Sequence, residues 1–188
     1  MEISKKIIRD NMQRLRNELS QVTVEQCSTA IQDRILKAPF WPKKGGVGLY
    51  YPIKNEVMTQ TLFQRALETG LHVYFPRVEQ GIVFYEVNGP EDLQRGCWSV
   101  LEPRRHCAPY APENTLDLLI VPGVVYSPAC KRIGSGRGLY DRYVADAEYD
   151  GPVIGLAYEC QMMDSFPTDE WDQGVDGVMT EKNFYAKK

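Results

Sequence analysis

Apolar positions recur along this chain at two periods, helical and alternating or continuous, in the order expected of an α/β fold. In residues 2–19, Ile3, Ile7, Ile8, Met12, Leu15 and Leu19 return at helical spacing, with Lys5, Lys6, Arg9, Arg14 and Arg16 between them on a basic, solvated face. Thr23 and Gln26 read as a capping box opening a second helix through Leu36, which Pro39 and Pro42 close. The run 46–51 predicts a strand stopped by Pro52. Leu62, Phe63, Ala66 and Leu67 then mark the inner face of a helix that begins near Met58 and stops at Gly70. A short strand at 73–76 completes a strand-helix-strand unit, whose two strands are expected to be parallel through a right-handed crossover.

Residues 82–87 predict a further strand. From 88 to 114 proline, glycine and charge dominate, with Trp98, Val100 and Leu101 as isolated apolar anchors, which suggests an ordered surface excursion rather than a linker. Leu118, Leu119, Ile120 and Val121, ending at Pro122 and Gly123, form the continuous apolar run of a buried strand. A helix at 139–147 and a buried strand at 153–157 follow. The tail 164–180 is acidic and irregular until the apolar Val178 and Met179. The pattern as a whole predicts a three-layer α/β/α sandwich with a mostly parallel open sheet, and a single domain over 1–188.

Composition narrows the function classes. With 22 basic and 25 acidic side chains the net charge is −3, so no basic excess points to nucleic acid, and any anion site must be built locally. Residues 1–6 lack the apolar core of a signal peptide, and no apolar run approaches the ~20 residues of a membrane span, so a cytoplasmic protein with no membrane partner is expected. Cys27, Cys97, Cys107, Cys130 and Cys160 are scattered without CxxC spacing and read as reduced thiols. His72 and His106 are the only histidines, too few for a histidine-rich metal centre or a serine-histidine triad; His72 reads as packed or solvated and His106 as surface.

The candidate chemistry centres on residues 132–143. Gly134, Gly136 and Gly138 alternate with Ser135 and Arg137, Arg132 stands just before them, and a run able to start a helix follows. Such a loop can approach a ligand with its backbone N–H groups and suits a phosphate cradle. It is not a Walker loop, and Leu139 occupies the position of the third glycine in the dinucleotide fingerprint, so a plain turn stays open as a reading. Asp141 lies on the first helical turn, where it either carries magnesium shared with bound phosphates or favours the helix dipole. Lys5 and Arg9, one turn apart, can address a single anion or belong to a solvated face. Glu56 falls at the C-terminal mouth of the 46–51 strand, where ligands gather, or serves as a carboxylate at a helix start.

Taken together, these pieces resemble the 5-formyltetrahydrofolate cyclo-ligase family, also called 5,10-methenyltetrahydrofolate synthetases, over nearly the whole chain. The strongest piece is the apolar run 117–123 leading into 132–138 and on to Tyr140, Asp141 and Arg142. Tyr51, Pro52, Glu56 and Thr59, residues 75–78, Glu102, Pro103, Gln161, Pro167 and residues 172–181 support it. The resemblance implies ATP-dependent closure of 5-formyltetrahydrofolate to 5,10-methenyltetrahydrofolate, releasing ADP and phosphate through a phosphorylated imidate. It implies that Arg132, Gly134, Ser135, Gly136, Arg137, Gly138 and Tyr140 wrap the ATP phosphates, with Lys5 and Arg9 closing over them and Arg137 and Tyr140 in catalytic roles. Arg9, Tyr51 and Glu56 would contact the folate, and Asp141 and Asp172 would hold Mg2+. A monomer with ATP and 5-formyltetrahydrofolate as its partners is expected. Three departures stand out: Leu139 replaces the first of two tyrosines, Ser135 a basic residue, and Trp171 a histidine or asparagine. They motivate two other readings, a non-catalytic folate- or nucleotide-binding relative and an ATP-dependent relative acting on another heterocycle.

Overall fold

The computed structural model describes residues 4–96, 100–111, 116–146 and 149–187. Ile3, Cys97, Trp98 and Ala147, each named above, lie outside them. Among the described residues, seven strands make one sheet in the order β11-β10-β9-β6-β1-β2-β3. β1 (Gly46–Gly48), β2 (His72–Val78), β6 (Leu118–Val121), β9 (Val153–Leu156) and β10 (Gly177–Met179) run parallel. β3 (Ile82–Glu86) and β11 (Phe184–Ala186) close the two edges antiparallel. β1 is shorter than the predicted 46–51 strand, because the chain leaves the ladder at Leu49 to build the cleft described below. The irregular tail 164–180 ends in β10, and β11 follows it.

The continuous apolar run is explained by burial on both faces. Leu118 and Ile120 pack with Ile31 and Ile35 of helix α2 (Gln21–Lys37) and Leu62 and Phe63 of α3 (Gln60–Glu68). Leu119 and Val121 face the other way, into a core that takes in Tyr143 and Val144 of α4 (Leu139–Asp146). Three layers result, as the alternation of elements predicts. α2 starts three residues before the expected Thr23 cap: Ser20 Oγ accepts from Thr23 N at 3.1 Å.

The first helix, α1 (Lys5–Asn17), departs most from expectation. Ile7 and Leu15 are exposed, whereas Arg16, assigned to the solvated face, is buried. Its inward stripe combines Ile8 and Met12 with Lys5, Arg9 and Arg16, and Ile8 packs on Val124, Val125 and Ile133 beyond the C-terminal end of β6. A helix that caps a polar cleft, rather than a core, can direct basic groups inward.

Chain order fixes where that cleft forms. From β1 the chain crosses through α3 to β2 on one side; from β6 it proceeds to β9 and β10 on the other. β1 and β6 are neighbours, so the order reverses between them and a crevice opens beyond their C-terminal ends.

Candidate active site

Two connected cavities occupy this crevice. The larger, about 770 Å³, lies between the segment after β1, the edge of β2 and the glycine loop, with Tyr51, Glu56, Ser135, Arg137 and Tyr140 on its walls. The smaller, about 80 Å³, sits beneath the loop and is lined by Arg132, Gly134, Gly138 and Asp141 among others. Glu56, Pro122, Ser135, Leu139 and Tyr140 belong to both walls.

The loop does not follow β6 directly. A small hairpin, β7 (Val125–Tyr126) with β8 (Arg132–Ile133), intervenes and places Arg132 on a strand beneath the glycines. Gly136 and Gly138 adopt φ of 98° and 60°, a region that favours glycine. Arg9 reaches across from α1, its Nε donating to Gly134 O at 2.9 Å, and a Cβ at Gly136 would meet Arg9 Cζ at 3.2 Å. Buried Arg132 donates through Nη2 to Asp141 Oδ1 at 2.7 Å and lies 5.9 Å from the Tyr140 ring centre. Burial pushes the Tyr140 hydroxyl pKa upward, with Glu56 adding to the effect. Arg137 is exposed on the loop.

Gln173 N, on the residue after Asp172, donates to Asp141 Oδ1 at 3.2 Å. Lys5 donates to Asp169 Oδ2 at 2.6 Å and also pairs with Asp172. Burial lowers the Lys5 pKa, but the two carboxylates outweigh it and hold the ammonium above its ordinary value. Lys5 therefore rests on acidic partners beside the loop, and an incoming polyphosphate would have to compete with them. Among the described residues, Asp141 accepts through Oδ1 from Arg132 and Gln173, and Asp172 through Oδ2 from Lys5 and Asp169 N. The other oxygen of each carboxylate is compatible with a hard cation, and one or two carboxylates with substrate phosphates is how magnesium is usually held.

Glu56 is fixed from several directions. Its Oε2 accepts from Ile53 N at 3.0 Å, and its backbone oxygen accepts from Tyr158 Oη at 3.2 Å. Asn55 Nδ2 donates to Arg16 O and Leu19 O, each at 3.1 Å, fastening this segment to the end of α1. Burial raises the Glu56 pKa, while Arg16 opposes the shift. Arg16 was missed as a site residue. Its Nη2 lies 3.7 Å from Glu56 Oε1, its Nη1 donates to Gly123 O at 3.3 Å, and its Nε, like Arg132 Nε, is buried with no hydrogen-bond partner among the described residues. Gln161 completes this floor by donating to Gly123 O and Val124 O at 3.2 and 2.9 Å. The signal available in the sequence was the one-turn spacing of Ile8, Met12 and Arg16.

The structure thus gathers Arg9, Tyr51, Glu56, Arg132, the glycines, Ser135, Arg137, Tyr140 and Asp141 at one crevice, with Lys5 and Asp172 paired at its rim. His72 and His106 are exposed, outside its walls. Among the described residues Cys27, Cys107, Cys130 and Cys160 are free thiols, and no helix is long and apolar enough to cross a membrane.

Comparison with known proteins bears on the family. The profile of the 5-formyltetrahydrofolate cyclo-ligase family matches residues 1–181. A probable 5-formyltetrahydrofolate cyclo-ligase of Caenorhabditis elegans is 27% identical over 187 residues, covering 93% of this chain and 91% of its own. The 5-formyltetrahydrofolate cyclo-ligase of Escherichia coli strain K12 is 26% identical over 179 residues, covering 93% and 96%. The solved structure of Aquifex aeolicus 5,10-methenyltetrahydrofolate synthetase superimposes with a TM-score of 0.88 at 32% identity, covering 99% of this chain and 94% of that one.

Proposed function

The chain belongs to the 5-formyltetrahydrofolate cyclo-ligase family, a family of ligases that close 5-formyltetrahydrofolate to 5,10-methenyltetrahydrofolate with ATP as co-substrate, and we propose that it carries out this reaction in the crevice between β1 and β6. The observation that carries the reading is the shared wall: Glu56 and Tyr140 border both the large cleft and the small cavity under the glycine loop. A ligand held in the first therefore presents its reacting atom to a phosphate held in the second.

In the proposed reaction the formyl oxygen attacks the γ-phosphorus, the bond to ADP breaks, and a phosphorylated imidate forms. N10 then attacks the activated carbon and loses its proton, and phosphate leaves with the C–O bonding pair. The amide oxygen is a poor leaving group until it is phosphorylated. No protein nucleophile is required, and catalysis is positioning together with charge neutralisation. Glu56 accepts hydrogen bonds from the pterin amino and ring N–H groups, and Tyr51 lies alongside the ring. Arg132, Arg137, the glycine-loop N–H groups and Tyr140 surround the transferring phosphoryl group, where charge moves. Lys5 and Arg9 approach it from α1, with Arg9 also near the folate. Asp141 and Asp172 would hold Mg2+, which when bound neutralises phosphate charge.

The reading takes residues 1–188 as a single cyclo-ligase-like domain acting as a monomer. Four free thiols support a reducing, cytoplasmic setting. The test is spectrophotometric: methenyl absorbance should appear only when ATP, Mg2+ and 5-formyltetrahydrofolate are all present. Tight folate binding with no ADP released would favour a binding protein, and turnover of another heterocycle in a substrate panel would redirect the assignment.

A further inference from the structure

Asp92, His106 and Cys107 take no part in the proposed reaction, yet each offers a donor atom and the three atoms lie within 4.8 Å of one another. They meet where the ends of a second hairpin come together. A short 3-10 turn, Pro90–Asp92, leads into β4 (Leu93–Arg95), which pairs antiparallel with β5 (Leu101–Pro103). The chain leaving β5 turns back so that Cys107 N donates to Arg104 O at 3.1 Å. Arg104 joins the two ends, its N donating to Asp92 O at 2.8 Å and its Nε to Glu91 O at 2.7 Å.

The three side chains are held in place by these backbone bonds. Asn88 N donates to Asp92 Oδ2 at 2.8 Å, while Oδ1 lies 2.8 Å from His106 Nε2. Cys107 Sγ, buried, points to Asp92 O at 3.7 Å. His106 is exposed, which leaves a route of approach from solvent.

We propose that Asp92, His106 and Cys107 form a binding site for a divalent cation of the zinc type, closing the base of the β4–β5 hairpin. The donor set selects the ion: one sulfur, one imidazole nitrogen and one carboxylate oxygen suit zinc, whereas magnesium and calcium take oxygen alone. Three protein ligands leave the fourth tetrahedral position to water. Binding breaks the His106–Asp92 contact and sends the thiol proton of Cys107 to solvent, after which thiolate and carboxylate together balance the ion's charge. Arg104 and Arg77 stand nearby, with Arg77 Nη1 donating to Arg104 O at 3.2 Å, and they oppose the cation. The two anionic ligands offset them. The same hairpin places Arg95, Leu101 and Glu102 on the wall of the large cleft, so an ion joining its two ends stiffens that wall.

Cobalt(II) titration of the full chain, freed of metal with a chelator, tests the site. The expected result is a thiolate-to-cobalt charge-transfer band that saturates at one equivalent per chain, is displaced by Zn2+ and persists in excess Mg2+. Cys107→Ser should abolish the band. His106→Ala, at an exposed position that keeps the fold, should weaken Co2+ binding by about ten-fold or more. Hydrogen exchange should slow at the hairpin amides when Zn2+ is added to the wild type but not to His106→Ala. No charge-transfer band, a band unchanged in Cys107→Ser, or hairpin exchange indifferent to Zn2+ would overturn the proposal.

Discussion

Replacing Arg16 with Met should expose how the cleft keeps a carboxylate in its floor. Arg16 is 4% exposed and its partner Glu56 14%, with 3.7 Å between Nη2 and Oε1. At an effective dielectric of about 20 that separation corresponds to an attraction of about 4 kcal/mol. Removing one partner of a buried pair typically costs about 3–5 kcal/mol, because the survivor is left uncompensated. The Arg16→Met protein should therefore melt roughly 10 °C lower than the wild type. The loss should depend on pH with a definite sign. Burial already raises the Glu56 pKa, with Arg16 opposing it. A carboxyl whose folded-state pKa is raised contributes stability that is fully present below its unfolded value and lost as pH climbs through its folded value. Without Arg16 that folded value rises further, so the pH interval over which stability falls should widen. Calorimetry across pH on the wild type, Arg16→Met, Glu56→Gln and the double variant measures both effects. Glu56→Gln should restore part of what Arg16→Met loses, a coupling of about 2 kcal/mol. Additive losses, or a pH dependence of melting unchanged by Arg16→Met, would show that Arg16 and Glu56 do not compensate each other.

Substitutions at two other positions separate structure from chemistry. Asp141→Ala leaves buried Arg132 without its 2.7 Å partner and should destabilise the fold by about 3–5 kcal/mol, whereas Asp141→Asn keeps an acceptor for Arg132 and should stay folded with a raised magnesium requirement. Melting curves paired with magnesium titrations of turnover distinguish the two. Gly136→Ala forces a side chain onto φ 98° and against Arg9, with strain of about 1–3 kcal/mol, so KM for ATP should rise on the order of ten-fold; an unchanged KM would detach the loop from the nucleotide.

Much of the architecture could be read from local patterns, and what escaped did so for physical reasons. The run 118–121 announced a strand buried on both faces, and helices do cover both sides of it. The position of β6 beside β1 could not be read, because strand order is set by contacts far apart in sequence. The β7–β8 hairpin has two-residue strands, too short for any period to register. Arg16 was misplaced because a basic residue at helical spacing ordinarily points to water; here α1 covers a charged cleft, and Ile7 and Leu15 take the exposed side. Glu56 was legible as a candidate from where a parallel strand ends, and the glycine loop from the spacing of its glycines and flanking arginines. The pairing of Lys5 with Asp169 and Asp172 was not, because 164 or more residues separate the partners.

If the glycine loop brings a phosphate to the formyl oxygen of a folate held in the adjoining cleft, ADP release and ring closure are coupled one to one. Methenyl absorbance and ADP release, followed together in the wild type and in Arg137→Ala, test it most directly. Arg137 lies exposed on the loop, so the variant should fold normally. One ADP should be released for each methenyl group formed, and turnover should fall by about 10²–10³-fold in Arg137→Ala. Methenyl formation without ADP release, or full turnover in Arg137→Ala, would contradict it.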